Sequence, residues 1–261
     1  MDLSLQGKTA LVCGSTQGIG LATAIELSAL GANCVLMARN EKALQEAIAQ
    51  LDTSVGQQHT YLVADFSKPH EVKEAIEAFT KLHIIHIVIN NTGGPKAGPI
   101  VDADEEAFRI AFNQHVVCNQ IIAKTVIPCM KREGYGRIIN IISTSVKIPL
   151  SNLGVSNTIR GAVASWAKTM ANELGQFNIT VNNILPGMTK TNRLESLILN
   201  TAAIKKITAE TVRENMQQEI PMKRFGEATE IANVIAFLAS PAASYVNGAS
   251  LPVDGGRTGS I

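Results

Sequence analysis

Along this chain, short unbroken apolar runs alternate with longer stretches in which apolar residues recur every three or four positions. The runs are Thr9–Cys13, Cys34–Ala38, Tyr61–Ala64, Ile84–Ile89, Arg137–Ile142, Thr180–Leu185 and Ala249–Val253. A strand covered on both faces reads as continuous apolar sequence, whereas a helix covering it is apolar on one side only. Helices are therefore expected from the turn after the first run to Gly31, then over Glu41–Leu51, Pro69–Leu82, Glu105–Lys131, Val155–Leu174 and Glu227–Leu238. Pro128 is expected to kink the fourth of these. The segment 188–221 differs: it is polar, expected to be helical in pieces, and follows the carboxyl end of a strand, where insertions commonly act as lids. No linker, repeat or low-complexity tract divides residues 1–261, so one α/β domain with this lid-like segment is expected.

The first run feeds Gly14-Ser15-Thr16-Gln17-Gly18-Ile19-Gly20, a G-x3-G-x-G turn, before a helix with Leu21, Ala24, Ile25, Leu27 and Ser28 on one face. A glycine-rich turn between strand and helix aims backbone N–H groups and the positive end of the helix dipole at one spot, which suits a phosphate or pyrophosphate. A turn that only reverses the chain uses the same residues. Ligands of parallel sheets bind beyond the carboxyl ends of the strands, where Asp65 and Asn90-Asn91-Thr92-Gly93 also fall.

Beyond the second run stands Arg39, with Asn40 beside it and no acid. A carboxylate at this point binds the ribose 2′-OH of NAD, whereas an arginine accommodates the 2′-phosphate of NADP. Arg39 is thus either an ordinary surface arginine or the group that selects NADP(H), with NAD(H) as the second candidate.

Charge narrows the partners. A formal net charge of +1, with 17% charged residues, provides no electrostatic footprint for nucleic acid or an anionic membrane. Cys13, Cys34, Cys118 and Cys129 lack C-x2-C spacing and read as reduced structural residues, with no metal site. The start shows no basic region followed by an apolar one, and no run approaches the ~20 residues of a membrane span, so a cytoplasmic protein is expected.

Taken together, the glycine turn, Asp65, Asn90-Asn91-Thr92-Gly93, the run Gly136 to Ser143, Pro186-Gly187 and Val253-Asp254-Gly255-Gly256 resemble the short-chain dehydrogenase/reductase family. Within it the chain most resembles bacterial 3-oxoacyl-acyl-carrier-protein reductases. The resemblance implies a single doubly wound Rossmann domain, a seven-stranded parallel sheet with helices on both faces, and commonly a homotetramer, or a homodimer built on its long helices. It implies a nicotinamide dinucleotide whose ribose and phosphates meet Gly14 to Gly20, with adenine near Asp65 and Phe66. Asn90, Asn91, Thr92 and Gly93 would contact the adenosine-side ribose, and Pro186, Gly187, Thr189 and Thr191 would border the nicotinamide amide and phosphates.

The catalytic positions depart from the family pattern. Such proteins usually carry a serine, a tyrosine thirteen residues on, a lysine four residues later, and an asparagine in the preceding long helix. Counting from Ser143 places Ser156 at the tyrosine and Arg160 at the lysine, and counting back from Pro128 places His115 at the asparagine. A tyrosine can be tuned towards neutrality by a nearby ammonium; a serine cannot, and an arginine keeps the positive charge and is expected to hold the nicotinamide ribose through its fork of donors but does not release its proton. Tyr61, Tyr135 and Tyr245 fall in a strand, a turn and the tail, so none substitutes directly. The expectation is that Ser143 orients and polarises a carbonyl while His115 or Lys147 relays a proton through water. The competing readings are a satisfied core histidine and a solvated loop lysine.

Two functions follow. One is an NADP(H)-dependent oxidoreductase interconverting a carbonyl and an alcohol, with a small-molecule or acyl-thioester substrate. The other is a dinucleotide-binding sensor or partner subunit that has lost hydride chemistry. Lys190, Arg193, Lys205, Lys206 and Arg213 slightly outnumber Glu195, Glu210 and Glu214 in the lid, which fits an anionic or carrier-bound substrate or, equally, a solvated helical face.

Overall fold

Every apolar run becomes a strand of one parallel sheet in the computed structural model, which describes residues 1–260. The strands are β1 (Thr9–Cys13), β2 (Asn33–Ala38), β3 (Thr60–Val63), β4 (Ile87–Asn90), β5 (Gly136–Ile141), β6 (Ile179–Pro186) and β7 (Ser250–Val253), ordered β3-β2-β1-β4-β5-β6-β7. The helices are α1 (Gly18–Ala29), α2 (Glu41–Ile48), α3 (Pro69–Thr80), α4 (Glu105–Phe112), α5 (Cys118–Glu133), α6 (Gly154–Leu174), α7 (Asn192–Lys205), α8 (Ala209–Gln218) and α9 (Ala228–Ala239).

Side chains alternate across a strand, so each run divides between two cores. Val12, Leu36, Ile89, Ile139 and Ile184 pack under α1, α2 and α9 through Leu27, Leu44 and Ile235. Leu11, Val35, Val88, Ile138 and Val181 pack on the other face against α3, α5 and α6 through Ile76, Ile122 and Met170. The doubly wound architecture is thus carried by two apolar layers, one on each face of the sheet.

Local chemistry sets the helix ends. Asn40, Asp104, Thr191 and Thr208 accept backbone N–H bonds as N-caps of α2, α4, α7 and α8, and Glu227 with Glu230 forms a capping box on α9. Gly134 ends α5 in the left-handed conformation at φ 59°.

The stretch expected as one helix over 105–131 is broken, but not at Pro128, which sits inside α5. A π-helical turn, Asn113–Val117, separates α4 from α5 and holds His115. Such single-turn bulges are frequent at functional sites, and apolar periodicity is too coarse to show them. The segment 188–221 contains α7 and α8, whose Leu194, Ile198 and Val212 share a small core with Ile220 and Phe225, separate from those of the sheet.

Candidate functional site

The strand order reverses between β1 and β4, and this is where a doubly wound sheet opens a crevice at its carboxyl end. Two loops meet there. Asn91 Nδ2 donates to the Gly14 carbonyl at 3.1 Å, and a Cβ at Gly14 would lie 2.5 Å from the Asn91 carbonyl oxygen. Gly14 and Gly18 both have positive φ, at 58° and 56°, and a Cβ at Gly20 would strike the Gly14 carbonyl. All three glycines are therefore dictated by close packing or backbone conformation.

What these glycines frame is an open helix start. No side chain caps α1 at Gln17, and its first turn carries no acid, so its N–H groups and positive dipole end are unopposed. Ser15 Oγ is buried there without a hydrogen-bond partner. A dinucleotide pyrophosphate fits this set: it supplies acceptors to a cluster of donors that has none. Thr16 and Ile19 flank the turn at partial exposure, while Gln17 Oε1 accepts a bond from Asn192 Nδ2 at 2.8 Å, tying the turn to the start of α7.

Arg39 is exposed past β2, close enough to Asp65 to favour its ionised form. The Asp65 carboxyl lies below its ordinary pKa chiefly because it accepts the Ser67 N–H. Asn40 spends its side-chain oxygen on capping α2, at 3.1 Å from Ala43 N. Phe66 packs at the edge of the core under α3, its carbonyl accepting Cys118 Sγ–H at 3.4 Å. On the other flank Pro186 ends β6, and Gly187 is pressed so closely on Asp254 that a Cβ would lie 2.6 Å from its Cα. Thr189 donates to the Gly187 carbonyl at 3.1 Å, and Thr191 caps α7 while standing beside Gly18.

Asn90 has a structural task. Its Nδ2 donates to Asn140 Oδ1 at 2.8 Å, Asn140 Nδ2 to Asn183 Oδ1 at 2.9 Å, and Asn183 Nδ2 to Ser250 Oγ at 3.0 Å. These residues are register partners on β4, β5, β6 and β7, so a chain of side-chain bonds crosses four strands beneath the crevice. The Asn90 Nδ2 is committed to that ladder, while its Oδ1 is buried without a hydrogen-bond partner.

At the ends of β4 and β5 the catalytic candidates separate into two groups. Ser143 caps a short 3-10 turn, its Oγ accepting Ser145 N–H at 3.1 Å, which leaves its own proton free to be donated. Ser156 and Arg160 are both buried on α6, one turn apart, and Arg160 Nη1 donates to the Ile141 carbonyl at 2.9 Å. Lys147, in contrast, is exposed, and no hydrogen bond or ion pair holds it near that group. Its exposure fits the solvated loop lysine of the two readings.

His115 also departs from expectation. Its Nδ1 lies 2.6 Å from Thr92 Oγ1, its Nε2 is buried without a partner, and its pKa is pulled down to about 3. Burial is the main cause, and the Arg160 and Arg193 guanidiniums add to it, while the Gly93 carbonyl opposes them. The ring is neutral at physiological pH and is not the near-neutral acid that an unperturbed histidine would be. The tyrosines stand elsewhere: Tyr135 donates to the Ala239 carbonyl at 2.6 Å, Tyr61 to Glu41 at 2.8 Å, and Tyr245 is fully exposed.

Arg193, which sequence reasoning treated only as part of the lid's charge, reaches this group from the start of α7. A Cβ at Gly94 would lie 2.6 Å from its Nη2, so the guanidinium rests on bare backbone just past β4. The second glycine of Gly93-Gly94-Pro95 was the available signal. Among the described residues, no group of three His, Cys, Asp or Glu is placed to hold a metal ion, and no helix is long and apolar enough to cross a membrane.

Comparison with known proteins agrees with this geometry. The family model described as enoyl-(acyl carrier protein) reductase matches residues 14–258. The chain is 34% identical over 258 residues to the 3-oxoacyl-acyl-carrier-protein reductase of Pseudomonas aeruginosa, covering 97% of this chain and 98% of that one. The structure of L-sorbose reductase from Gluconobacter frateurii, complexed with NADPH and L-sorbose, superposes with a TM-score of 0.93 at 30% identity, covering 100% of both chains. That of YwfH, an NADPH-dependent reductase involved in bacilysin biosynthesis, gives 0.91 at 30% identity, covering 97% of this chain and 99% of the other. The fold, the crevice and these matches agree: the chain belongs to the short-chain dehydrogenase/reductase family, whose members are oxidoreductases.

Proposed function

We propose that this protein is an NADP(H)-dependent oxidoreductase that interconverts a carbonyl and an alcohol without the family's usual tyrosine acid. The observation that carries this reading is the unopposed start of α1, framed by Gly14, Gly18 and Gly20 and faced by Asn91. Exposed Arg39, with no acid beyond β2, supports NADP(H) over NAD(H). The similar YwfH, an NADPH-dependent reductase, and L-sorbose reductase, solved with NADPH, point the same way.

The dinucleotide, once bound, supplies or accepts the hydride. The chain's own residues manage the oxygen. Ser143 donates a hydrogen bond to the substrate carbonyl, and the nearby Arg160 charge stabilises the anion that develops there. Arg160, its pKa lowered by burial to about 10, stays charged at neutral pH and holds this role without losing a proton. His115 is too weakly basic to carry that proton, so water is the proton source, oriented by Ser143 and Arg160. Ser156, too weak an acid to replace the tyrosine, is buried on α6 one turn before Arg160. A 3-oxoacyl thioester is one carbonyl class to try, since the chain is 34% identical to a reductase named for it.

A second reading draws on the lack of any near-neutral acid in the group: a binding protein that senses NADP(H) or supports an active relative. A cytoplasmic homotetramer or homodimer is the assembly proposed for either case, and four unpaired cysteines fit a reducing compartment. Fluorescence titration of NADPH and NADH into the purified protein tests the shared premise. Micromolar NADPH binding with weaker NADH is expected, and no binding of either removes both readings. Hydride transfer to a carbonyl panel then separates the enzyme from the sensor.

A further inference from the structure

Beyond the carboxyl ends of β5 and β7 lies a cavity of about 270 Å³. Thr144, Ile148 and Leu150 line it from the loop that begins at Ser143, Arg257 and Thr258 from the tail after β7, and Glu219 from the end of α8. The tail is held there by its backbone. Gly255 and Gly256 take positive φ, at 65° and 84°, Met222 N donates to the Gly255 carbonyl at 3.2 Å, and a Cβ at Gly255 would lie 2.8 Å from Ile220 Cγ2. Asp254, pressed on Gly187, accepts the Gly256 and Thr258 N–H groups at 3.0 and 2.7 Å. These contacts carry Arg257 across the cavity edge, where its Nη2 donates to Glu219 Oε2 at 2.7 Å.

The polar groups of the cavity sum to no net charge. Arg257 and Glu219 are the only charged residues lining it among the described residues, and they are paired. Arg257 commits one side-chain N–H of its five to that bond, and Glu219 keeps Oε1 free. Thr144 and Thr258 form hydrogen bonds through their backbones alone, which leaves both hydroxyls able to donate and accept. Ile148 and Leu150 supply the apolar part. Donors and acceptors are thus interleaved around one small space next in the chain to Ser143.

We propose that the Arg257–Glu219 pair is a specificity-determining element, which makes this cavity a substrate subsite for small neutral ketones that carry hydroxyl groups. This role presupposes the oxidoreductase reading above and narrows it, placing hydroxylated ketones ahead of organic acids and of unsubstituted acyl chains. A hydroxyl both donates and accepts, so it can bridge a guanidinium N–H and the free oxygen of Glu219. A carboxylate would have to displace Glu219 from Arg257 and leave that acid unpaired beside a second negative charge. An unsubstituted chain would cover the pair and the two threonine hydroxyls without replacing the water bound to them.

Three ketones of four carbons serve as probes: erythrulose, which is neutral and hydroxylated, 2-butanone, which lacks hydroxyls, and acetoacetate, which is anionic. With NADPH, the wild-type kcat/KM for erythrulose is expected to exceed both others by about tenfold or more, the margin of hydrogen bonds to charged groups. Because a hydroxyl beside a carbonyl also raises its intrinsic reactivity, two variants carry the decision. Glu219→Gln leaves the Arg257 charge unopposed, and is expected to lower the erythrulose-to-acetoacetate ratio about tenfold by raising acetoacetate. Arg257→Met is expected to lower erythrulose towards 2-butanone without raising acetoacetate, and Arg257→Lys to restore part of the loss. The side chains are 23% and 56% exposed, and a pair so exposed contributes little to stability, so these variants are expected to fold. A wild-type preference for acetoacetate or 2-butanone overturns the proposal, as do variants that change all three ketones by one factor, which is what a merely structural pair would do. If NADPH binds and no ketone is reduced, the oxidoreductase reading fails by itself. Thermal shift with each ketone then decides the subsite: a shift with erythrulose alone that Glu219→Gln transfers to acetoacetate keeps it, and equal or absent shifts remove it.

Discussion

His115 Nδ1 and the Thr92 hydroxyl lie 2.6 Å apart, joining the π-helical turn between α4 and α5 to the loop that leaves β4. This contact makes the histidine part of the crevice wall while keeping it uncharged. Its buried ring is disfavoured from charging chiefly by desolvation, with the Arg160 and Arg193 charges adding to it.

The consequence for pH has a definite sign. Folded His115 has a pKa of about 3 against an ordinary value of 6.5, so between those limits the unfolded chain binds a proton that the folded chain refuses. Stability is therefore lost as pH falls below about 6.5, with a slope approaching about 1.4 kcal/mol per pH unit from this group. His115→Gln, which keeps a polar contact to Thr92, is expected to flatten that slope. Denaturant titrations of both proteins from pH 7 to pH 4 measure it, and parallel curves would remove the claim.

The cofactor preference rests on Arg39. Arg39→Ala is expected to weaken NADPH by about tenfold or more and to leave NADH nearly unchanged, since only the former carries the 2′-phosphate. Equal losses for the two nucleotides would return Arg39 to an ordinary surface role.

Gly20 lies against the Gly14 carbonyl, so Gly20→Ala forces the turn apart. A loss of about 1–3 kcal/mol in stability is expected, with a fall in dinucleotide affinity larger than that seen for Gly56→Ala at an open, distant turn. Calorimetry with and without NADPH separates the two effects.

The asparagine ladder gives a prediction about stability alone. Asn140→Ala leaves the buried Asn90 Nδ2 and the Asn183 Oδ1 unpaired, at an expected cost of about 2–4 kcal/mol. Urea unfolding should show a lower midpoint at unchanged slope. An unchanged midpoint would mean that water satisfies both groups.

Much of this was legible in the chain because it is local. Continuous apolar runs specify strands buried on both faces, three- and four-residue spacing specifies the helices over them, and Gly14, Gly18 and Gly20 announce a turn that only glycine can make. Counting along the chain is likewise all that sets Ser156, Arg160 and His115 against the family's usual tyrosine, lysine and asparagine, so that expectation rests on spacing alone.

Other features were decided by residues far apart in sequence. Asn90 meets Asn140 across 50 positions and Asn140 meets Asn183 across 43, pairings fixed by strand order and register, which no local pattern encodes. The π-helical turn that aims His115 inward adds one residue's worth of rotation to a helix whose periodicity looks unbroken. The depressed basicity of His115 depends on burial and on charges carried by separate elements. The sequence by itself determined the layers and the cradle; the tertiary structure decided the charge state and company of the side chains beside it, because electrostatic interaction depends on distance through space and solvent exposure, not on position along the chain.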